Sequence, residues 1–287
     1  MPELPEVQAL ATDLGSRLRG RVIDRLQIVA FPALKTYDPP VEALAGERIA
    51  EVARRGKFLD LETESGLHLV MHLARAGWVR WRQNAPQTSG RPGHGPLAAR
   101  LVLDDGSGFD VTEAGTKKSL AIYVVRDPAQ VPGIARLGPD PLDDAFTLDA
   151  FRRILATQGR AQLKGVLRDQ GVIAGIGNAY SDEILHVARM SPYKPAAMDD
   201  ADSAALYDAV RSTLTGAVAR AEGVAASELK AEKKTNLRVH GRFGEPCPVC
   251  GTTIQQVIFA DRTFQYCPGC QTGGKKLSDR VMDRLLR

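Results

Sequence analysis

The first residues with chemistry to offer are Met1-Pro2-Glu3-Leu4-Pro5-Glu6-Val7. Removal of Met1, the usual processing ahead of a small residue, would leave a free secondary amine followed by two carboxylates. An α-amino group has an ordinary pKa of about 7.7–8.0, so a useful fraction is neutral and nucleophilic at physiological pH. Attack of such an amine on a sugar C1′ gives an iminium with a permanent positive charge. That charge acidifies the C2′ protons and prepares an elimination. The same residues also suit a structural role, with two prolines holding the chain extended ahead of a helix and Glu6 at the helix's positive end.

The second group is the set of 4 cysteines, Cys247-x2-Cys250 and Cys267-x2-Cys270, with 16 residues between the pairs. Thiolates two residues apart reach one ion from a tight turn, and two such turns complete the tetrahedral set of a closed structural Zn2+ site. Four protein ligands leave no open position, so one zinc ion is assigned to folding rather than to catalysis. The alternative is a pair of disulfides, which belongs to oxidising compartments. The N-terminus is acidic and proline-rich with no apolar h-region, and no apolar run reaches membrane-spanning length. A cytoplasmic protein with no membrane partner is therefore expected.

Two further stretches carry candidates. Arg54-Arg55-Gly56-Lys57-Phe58-Leu59 places a lysine at a strand start, where a solvated edge charge is the ordinary reading. Gly171-Val172-Ile173-Ala174-Gly175-Ile176-Gly177-Asn178-Ala179-Tyr180 puts glycines ahead of a helix, where unpartnered N–H groups at the positive end attract anions. Tight packing between helices is the other use of such a turn.

Taken together, these blocks resemble the formamidopyrimidine-DNA glycosylase and endonuclease VIII family of base-excision enzymes, and the similarity runs along nearly the whole chain. The resemblance implies that Pro2 is the nucleophile and Glu3 the acid and base, with Glu6 supporting local structure. It implies that Lys57 enters the active site, contacts phosphate and assists elimination. Asn178 would bind a DNA phosphate within a helix–two-turn–helix, with Arg160 and Lys164 as further phosphate candidates. Arg262, on the turn Ala260-Asp261-Arg262 of a zinc-held hairpin, would grip phosphates around the lesion and take part in a second elimination. The expected activity is that of a bifunctional DNA glycosylase and abasic-site lyase, acting by β-elimination alone or by β- followed by δ-elimination, on damaged double-stranded or single-stranded DNA. A monomer is expected, nucleoid-associated when on DNA. Two non-enzymatic rivals are an idle damaged-DNA reader of the same fold and a zinc-ribbon module on an unrelated N-terminal half.

The chain departs from the formamidopyrimidine branch where a vacated base stack is filled. Arg75, in His72-Leu73-Ala74-Arg75-Ala76, stands where that branch has a methionine, and Lys117-Lys118-Ser119-Leu120 replaces its Arg-Arg-Phe-Gly loop. Lys118 would keep phosphate attraction without an aromatic wedge. Phe31-Pro32-Ala33-Leu34-Lys35 resembles the endonuclease VIII branch instead.

The elements that must position these residues follow from periodicity. Val7, Leu10, Ala11, Leu14 and Leu18 recur at helical spacing and stop before Gly20. Alternating segments over 22–29, 48–52, 57–61, 67–73, 101–103 and 121–125 predict an antiparallel sandwich or barrel. A proline-rich connector, Arg136 to Leu142, precedes helical patterns at 148–155, 163–167, 181–190 and 201–221, and 222–236 reads as exposed. At 287 residues and 44% hydrophobic composition, the expectation is a multidomain α+β chain. It has an N-terminal β-sandwich with a leading helix (2–130), a linker (131–147), a helix–two-turn–helix domain (148–236), and a four-cysteine zinc β-hairpin with a basic tail (237–287). Charge is uneven: from Glu228 onward there are 11 Lys and Arg against 6 Asp and Glu, and 27 against 28 before it, which suits a phosphate backbone.

Overall fold

The computed structural model describes residues 1–86, 95–259 and 262–278. The chain divides into two compact units, one formed by Met1–Leu137 with Arg220–Leu229, the other by Gly138–Ala219 with the chain from Lys230 on.

The first unit begins with α1 (Leu4–Leu18), followed by β1 (Ile23–Ile28), β2 (Ile49–Arg55), β3 (Phe58–Thr63), β4 (His68–His72), β5 (Gly77–Arg82), β6 (Leu97–Leu103), β7 (Gly108–Glu113) and β8 (Ala121–Val125). Two four-stranded antiparallel sheets, ordered β1-β6-β7-β5 and β2-β3-β4-β8, form a β-sandwich. Leu10, Leu14 and Leu18 of α1 share its core with Leu59, Leu69, Leu101 and Phe109. Each leucine sealed there contributes roughly 1.5–3 kcal/mol relative to exposure. β5 and β7 are strands that the alternation does not single out. β7 is buried throughout, and its Asp110 is held by Arg100 at 2.6 Å and Arg82 at 2.8 Å.

Segment 222–236, expected to be exposed, is not uniformly so. Ala221 and Leu229 are buried in the core of the first unit, and the Trp78 indole N–H donates to the Ala226 carbonyl at 2.8 Å. Small apolar residues scattered through a polar stretch lack the periodicity that would have marked this return.

The second unit contains α2 (Leu148–Gln158), α3 (Leu163–Arg168), α4 (Asn178–Val187), α5 (Asp200–Ala221), α6 (Leu229–Asn236), β9 (Gln255–Phe259), β10 (Arg262–Tyr266) and α7 (Pro268–Gln271). The last two residues of α5, Arg220 and Ala221, and the first of α6, Leu229, belong to the first unit. α4 starts at Asn178, three residues before the periodicity places it, because Gly177 serves as N-cap. β9 and β10 pair antiparallel into a hairpin whose tip, 260–261, lies outside the described residues. The basic tail from 279 onward also lies outside them.

Candidate active site and nucleic-acid interface

The start of α1 is held on the sandwich by its own capping arrangement and by contacts to β2. Pro2 is buried and Glu3 only 2% exposed. The Glu3 backbone N–H donates to Glu6 Oε2 at 2.8 Å, so Glu6 fixes the peptide that carries the two candidate catalytic residues. Further along, Gly15 lies against Val52, and Arg54 Nε donates to Gln8 Oε1 at 2.8 Å. β2 therefore runs antiparallel to α1, and its end points toward the start of the helix. There the chain turns through Gly56–Lys57, with Arg54 also donating to the Gly56 carbonyl at 3.2 Å. Arg55 and His68 both grip the buried Asp60 carboxylate, at 2.7 and 2.9 Å, which locks the hairpin register. Lys57 is 8% exposed. It is a buried ammonium at a loop tip, not the solvated edge charge of the ordinary reading.

Strand register brings three loops to one end of the sheet. Phe58 pairs with His72, and His72 pairs with Ala121. The Lys57 turn, the turn after His72 and the loop before β8 thus share one end of the sheet, the end at which α1 starts. Phe58 and His72 rings lie 4.7 Å apart. Burial, assisted by the Lys57 charge, pushes the His72 imidazole down to about 4, so it is neutral at physiological pH. In the sequence His72 is only a landmark; its pairing partner and its neighbour Lys57 come together only in the sheet.

His72 makes the stability of the fold depend on pH. In the unfolded chain it titrates near 6.5, in the folded chain near 4. Between those values the unfolded state binds more protons, so the stability contributed is complete above the upper value and is lost as pH falls toward the lower. Between about pH 7 and 4.5 the wild type should lose about 2 kcal/mol more unfolding free energy than His72→Gln. Urea titrations at the two pH values measure the difference, and parallel losses in the two proteins would contradict the assignment.

Arg75 is exposed in the turn between β4 and β5. That turn is tight, since a Cβ on Gly77 would lie 2.1 Å from the Leu73 carbonyl oxygen. Lys118 is exposed in the loop before β8, where its ammonium donates to the Glu113 carbonyl. The Glu113 carboxylate accepts the N–H groups of Ser119 and Leu120 at 2.7 and 3.1 Å, folding the loop back on its own strand.

In the second unit α4 organises the candidate phosphate contacts. Asn178, its first residue, donates its side-chain amide to the Thr263 carbonyl at 2.7 Å, which sets it one residue from Arg262 along β10. The side chain of Arg262 lies outside the described residues. Lys164, expected among the phosphate contacts, is instead turned inward and 5% exposed. Its ammonium donates to the Asn178 carbonyl at 2.7 Å, the Ser181 hydroxyl at 2.7 Å and Asp182 Oδ1 at 2.6 Å. A lysine with its three donors so engaged positions the start of α4 and does not reach out to a phosphate. Arg160 is exposed in the turn between α2 and α3. The other oxygen of Asp182 receives His240 Nδ1 at 2.6 Å and the Gln265 N–H at 3.2 Å. Glu183 accepts the backbone N–H groups of Arg238, Val239 and His240 at 2.7–3.0 Å, while burial pushes its carboxyl up.

The cysteines converge as their spacing predicts. Sγ atoms of Cys250 and Cys267 lie 3.3 Å apart, Cys250 and Cys270 3.4 Å, and Cys247 and Cys270 3.9 Å. A disulfide would need about 2.05 Å. A tetrahedron of metal–sulfur bonds of about 2.3 Å has edges of about 3.8 Å, near these separations, so the cluster suits a structural metal ion. Both turns supply N–H donors to sulfur, Val249 to Cys247 at 3.5 Å and Cys270 to Cys267 at 3.4 Å. Only glycine fits at 269, where a Cβ would lie 2.5 Å from the Thr252 hydroxyl and 3.0 Å from Cys250 Sγ. The structure adds a donor that sequence spacing could not supply: His186, from α4, places Nε2 3.3 Å from Cys247 Sγ. Donor atoms of His186, Cys247, Cys267 and Cys270 all lie within 4.8 Å of one another. Burial holds this imidazole neutral, pushing it down to about 4.

Comparison with known proteins follows the same blocks. Residues 1–116 match the profile of the formamidopyrimidine-DNA glycosylase N-terminal domain, 137–228 that of its H2TH domain, and 244–273 that of a zinc finger found in FPG and IleRS. A formamidopyrimidine-DNA glycosylase of Heliobacterium modesticaldum is 35% identical over 282 residues, covering 94% of this chain and 100% of the relative. A formamidopyrimidine-DNA glycosylase-like protein of Mycobacterium tuberculosis is 53% identical over 160 residues, 55% of this chain and 99% of the relative. Among solved structures, the MutM (Fpg) protein of Thermus thermophilus aligns with a TM-score of 0.79 at 31% identity, covering 96% of this chain and 100% of that one. Lactococcus lactis Fpg, non-covalently bound to DNA containing an abasic site, aligns with a TM-score of 0.79 at 26% identity, covering 94% and 99%.

Proposed function

The chain belongs to the formamidopyrimidine-DNA glycosylase family, and from that premise we propose that Pro2 is its nucleophile and Glu3 its proton carrier. The activity is that of a base-excision repair DNA glycosylase and abasic-site lyase. The observation that carries the residue assignment is the shared sheet end: the start of α1, the buried Lys57 and the neutral His72 lie together on one edge of the sandwich.

Once Met1 is removed, the Pro2 nitrogen attacks C1′ of an extruded nucleotide. The glycosidic bond breaks and the base leaves with a proton, with Glu3 as the acid. Ring opening gives an iminium, loss of a C2′ proton follows, and the electron pair expels the 3′ phosphate in β-elimination. A second elimination at C5′ would expel the 5′ phosphate. Lys57 and His72 supply one cation and one neutral donor toward those phosphates; on the second unit, Asn178 and Arg262 are the residues for DNA phosphate contact. Glu6 orders the peptide of Glu3. The cysteine set holds one structural Zn2+, and no diffusible cofactor enters. We assign 2–130, 148–236 and 237–287 as sandwich, helix–two-turn–helix and zinc modules around a 131–147 linker. The protein acts as a monomer in the cytoplasm, on nucleoid DNA. Among the described residues no helix is long and apolar enough to cross a membrane.

Substrate range is set by the filling of the vacated stack. Unstacking costs a few kcal/mol, and Arg75 is the bulky group offered in its turn. Labelled duplexes, single strands and bubbles, each with one lesion, test this directly. Abasic sites and lesions in single strands should be cleaved at least about tenfold faster than 8-oxoguanine paired with cytosine. Arg75→Ala should slow duplex cleavage further and spare single strands. Removal of paired 8-oxoguanine at the abasic rate would overturn the reading.

A further inference from the structure

Segment Phe31–Lys35 is not free-standing loop. Leu34 bridges to Ile122 in parallel, the Lys35 N–H donates to the Ile122 carbonyl at 2.8 Å, and the Val124 N–H donates to the Thr36 hydroxyl at 2.8 Å. The segment therefore lines the outer edge of β8. Phe31, three residues before Leu34, stands toward the start of that strand, at the end of the sheet already occupied by Lys57, His72 and Arg75. A short 3-10 turn, Phe31–Ala33, with Pro32 in its first turn, holds the ring outward, and the residue is 68% exposed.

Behind it lies a cavity of about 350 Å³, walled by Val29, Ala33, Leu97 and Leu120, with Glu113 and two exposed lysines, Lys35 and Lys118, at its border, the lysines' ammoniums donating to the Pro32 and Glu113 carbonyls. Phe31 is the only aromatic side chain among its described lining residues. That volume lies near the lower bound of small-ligand pockets, roughly 300–1,000 Å³, a size for one heterocycle. The neighbouring loop, Gly115-Thr116-Lys117-Lys118-Ser119, has cations and no aromatic. An apolar slot with one outward ring, bordered by lysines, matches a flat apolar group attached to a polyanion better than an apolar protein partner.

We propose that Phe31 and this cavity form a nucleobase subsite, in which the base left unpaired when its mate is extruded stacks on the Phe31 ring while Lys35 and Lys118 face its flanking phosphates. The proposal rests on the assignment of DNA as substrate and of the Lys57 end as the working face. It locates on the β8 edge the aromatic contact that the β7–β8 loop lacks.

The test uses the full-length protein and duplexes carrying a tetrahydrofuran abasic analogue, opposite 2-aminopurine, opposite cytosine, or opposite a second tetrahydrofuran. Wild type should quench 2-aminopurine fluorescence on binding. F31A should lose that quenching and bind about tenfold more weakly when a base stands opposite, whereas F31W should restore both. With tetrahydrofuran on both strands, F31A and wild type should bind alike, since there is no base to stack. Equal binding by F31A and wild type to every duplex would overturn the proposal. So would an equal loss on the doubly abasic duplex, which would assign Phe31 a contact with the backbone or the fold. Borohydride trapping of wild type on abasic single strands, run alongside, reports on Pro2 separately, and its absence would count against the nucleophile and not against Phe31.

Discussion

Retention of Met1, or of any residue ahead of Pro2, is expected to lower borohydride trapping on abasic DNA by three or more orders of magnitude. An acylated proline nitrogen has no nucleophilic lone pair and no proton to lose, so the covalent route closes outright, as it does when other enzymes lose their nucleophile. Folding should be untouched. Met1 is exposed, and α1 is fixed from Glu3 onward by the Glu6 back-bond and by Arg54 on Gln8. Affinity for a tetrahydrofuran duplex should therefore stay within about threefold of the processed protein, a change worth less than about 1 kcal/mol. Gel quantification of trapped complex alongside binding separates the two effects. Undiminished trapping by the blocked protein would transfer the nucleophile to a lysine.

The second large effect is expected from Cys247→Ser. Cys247 is buried, accepts the Val249 N–H and contacts both Cys270 and His186. Structural zinc contributes about 10–16 kcal/mol to the folding of small modules that it closes, far more than the few apolar side chains of this hairpin supply. Val257, Phe264 and Tyr266 form that small cluster with Tyr193 and Leu277. Loss of the ion should therefore release β9 and β10, and with them Thr263, the partner of Asn178. DNA affinity should fall about a hundredfold or more if Asn178 and Arg262 make the phosphate contacts proposed for them. The sandwich core, which shares no side chain with the cysteine cluster, should melt as before. Metal analysis, gel-shift binding and a thermal scan report the three quantities. Wild-type binding by a metal-free variant would remove the module from the DNA interface.

Features that depend on local spacing are legible in the sequence. The apolar face of α1, the two cysteine turns and the glycine-rich turn ahead of α4 are each set by residues only a few positions apart. What escapes depends on distant partners. Lys164 reads as one more basic residue on a helix, and only Asp182, Ser181 and the Asn178 carbonyl turn it into an internal brace. β7 is hidden because its buried Asp110 looks like a turn residue until Arg82 and Arg100 arrive from β5 and β6. His186 has no sequence signal for its place beside the cysteines, since it lies 61 residues from Cys247 along the chain. Phe31 stands out for its motif, while its exposure and the cavity behind it belong to the packing of β1, β6 and β8.

The central claim is the identity of the nucleophile, and the position of the reduced adduct tests it most directly. Processed protein trapped with borohydride on an abasic strand is digested with protease and nuclease, and the modified peptide is located by mass spectrometry. The adduct should sit on the N-terminal nitrogen of the peptide beginning Pro2-Glu3-Leu4, with Lys57 unmodified. An adduct on Lys57 or another lysine, or no reducible complex under conditions where the DNA is bound, would contradict the account, the latter in favour of a protein that reads damage without cutting it.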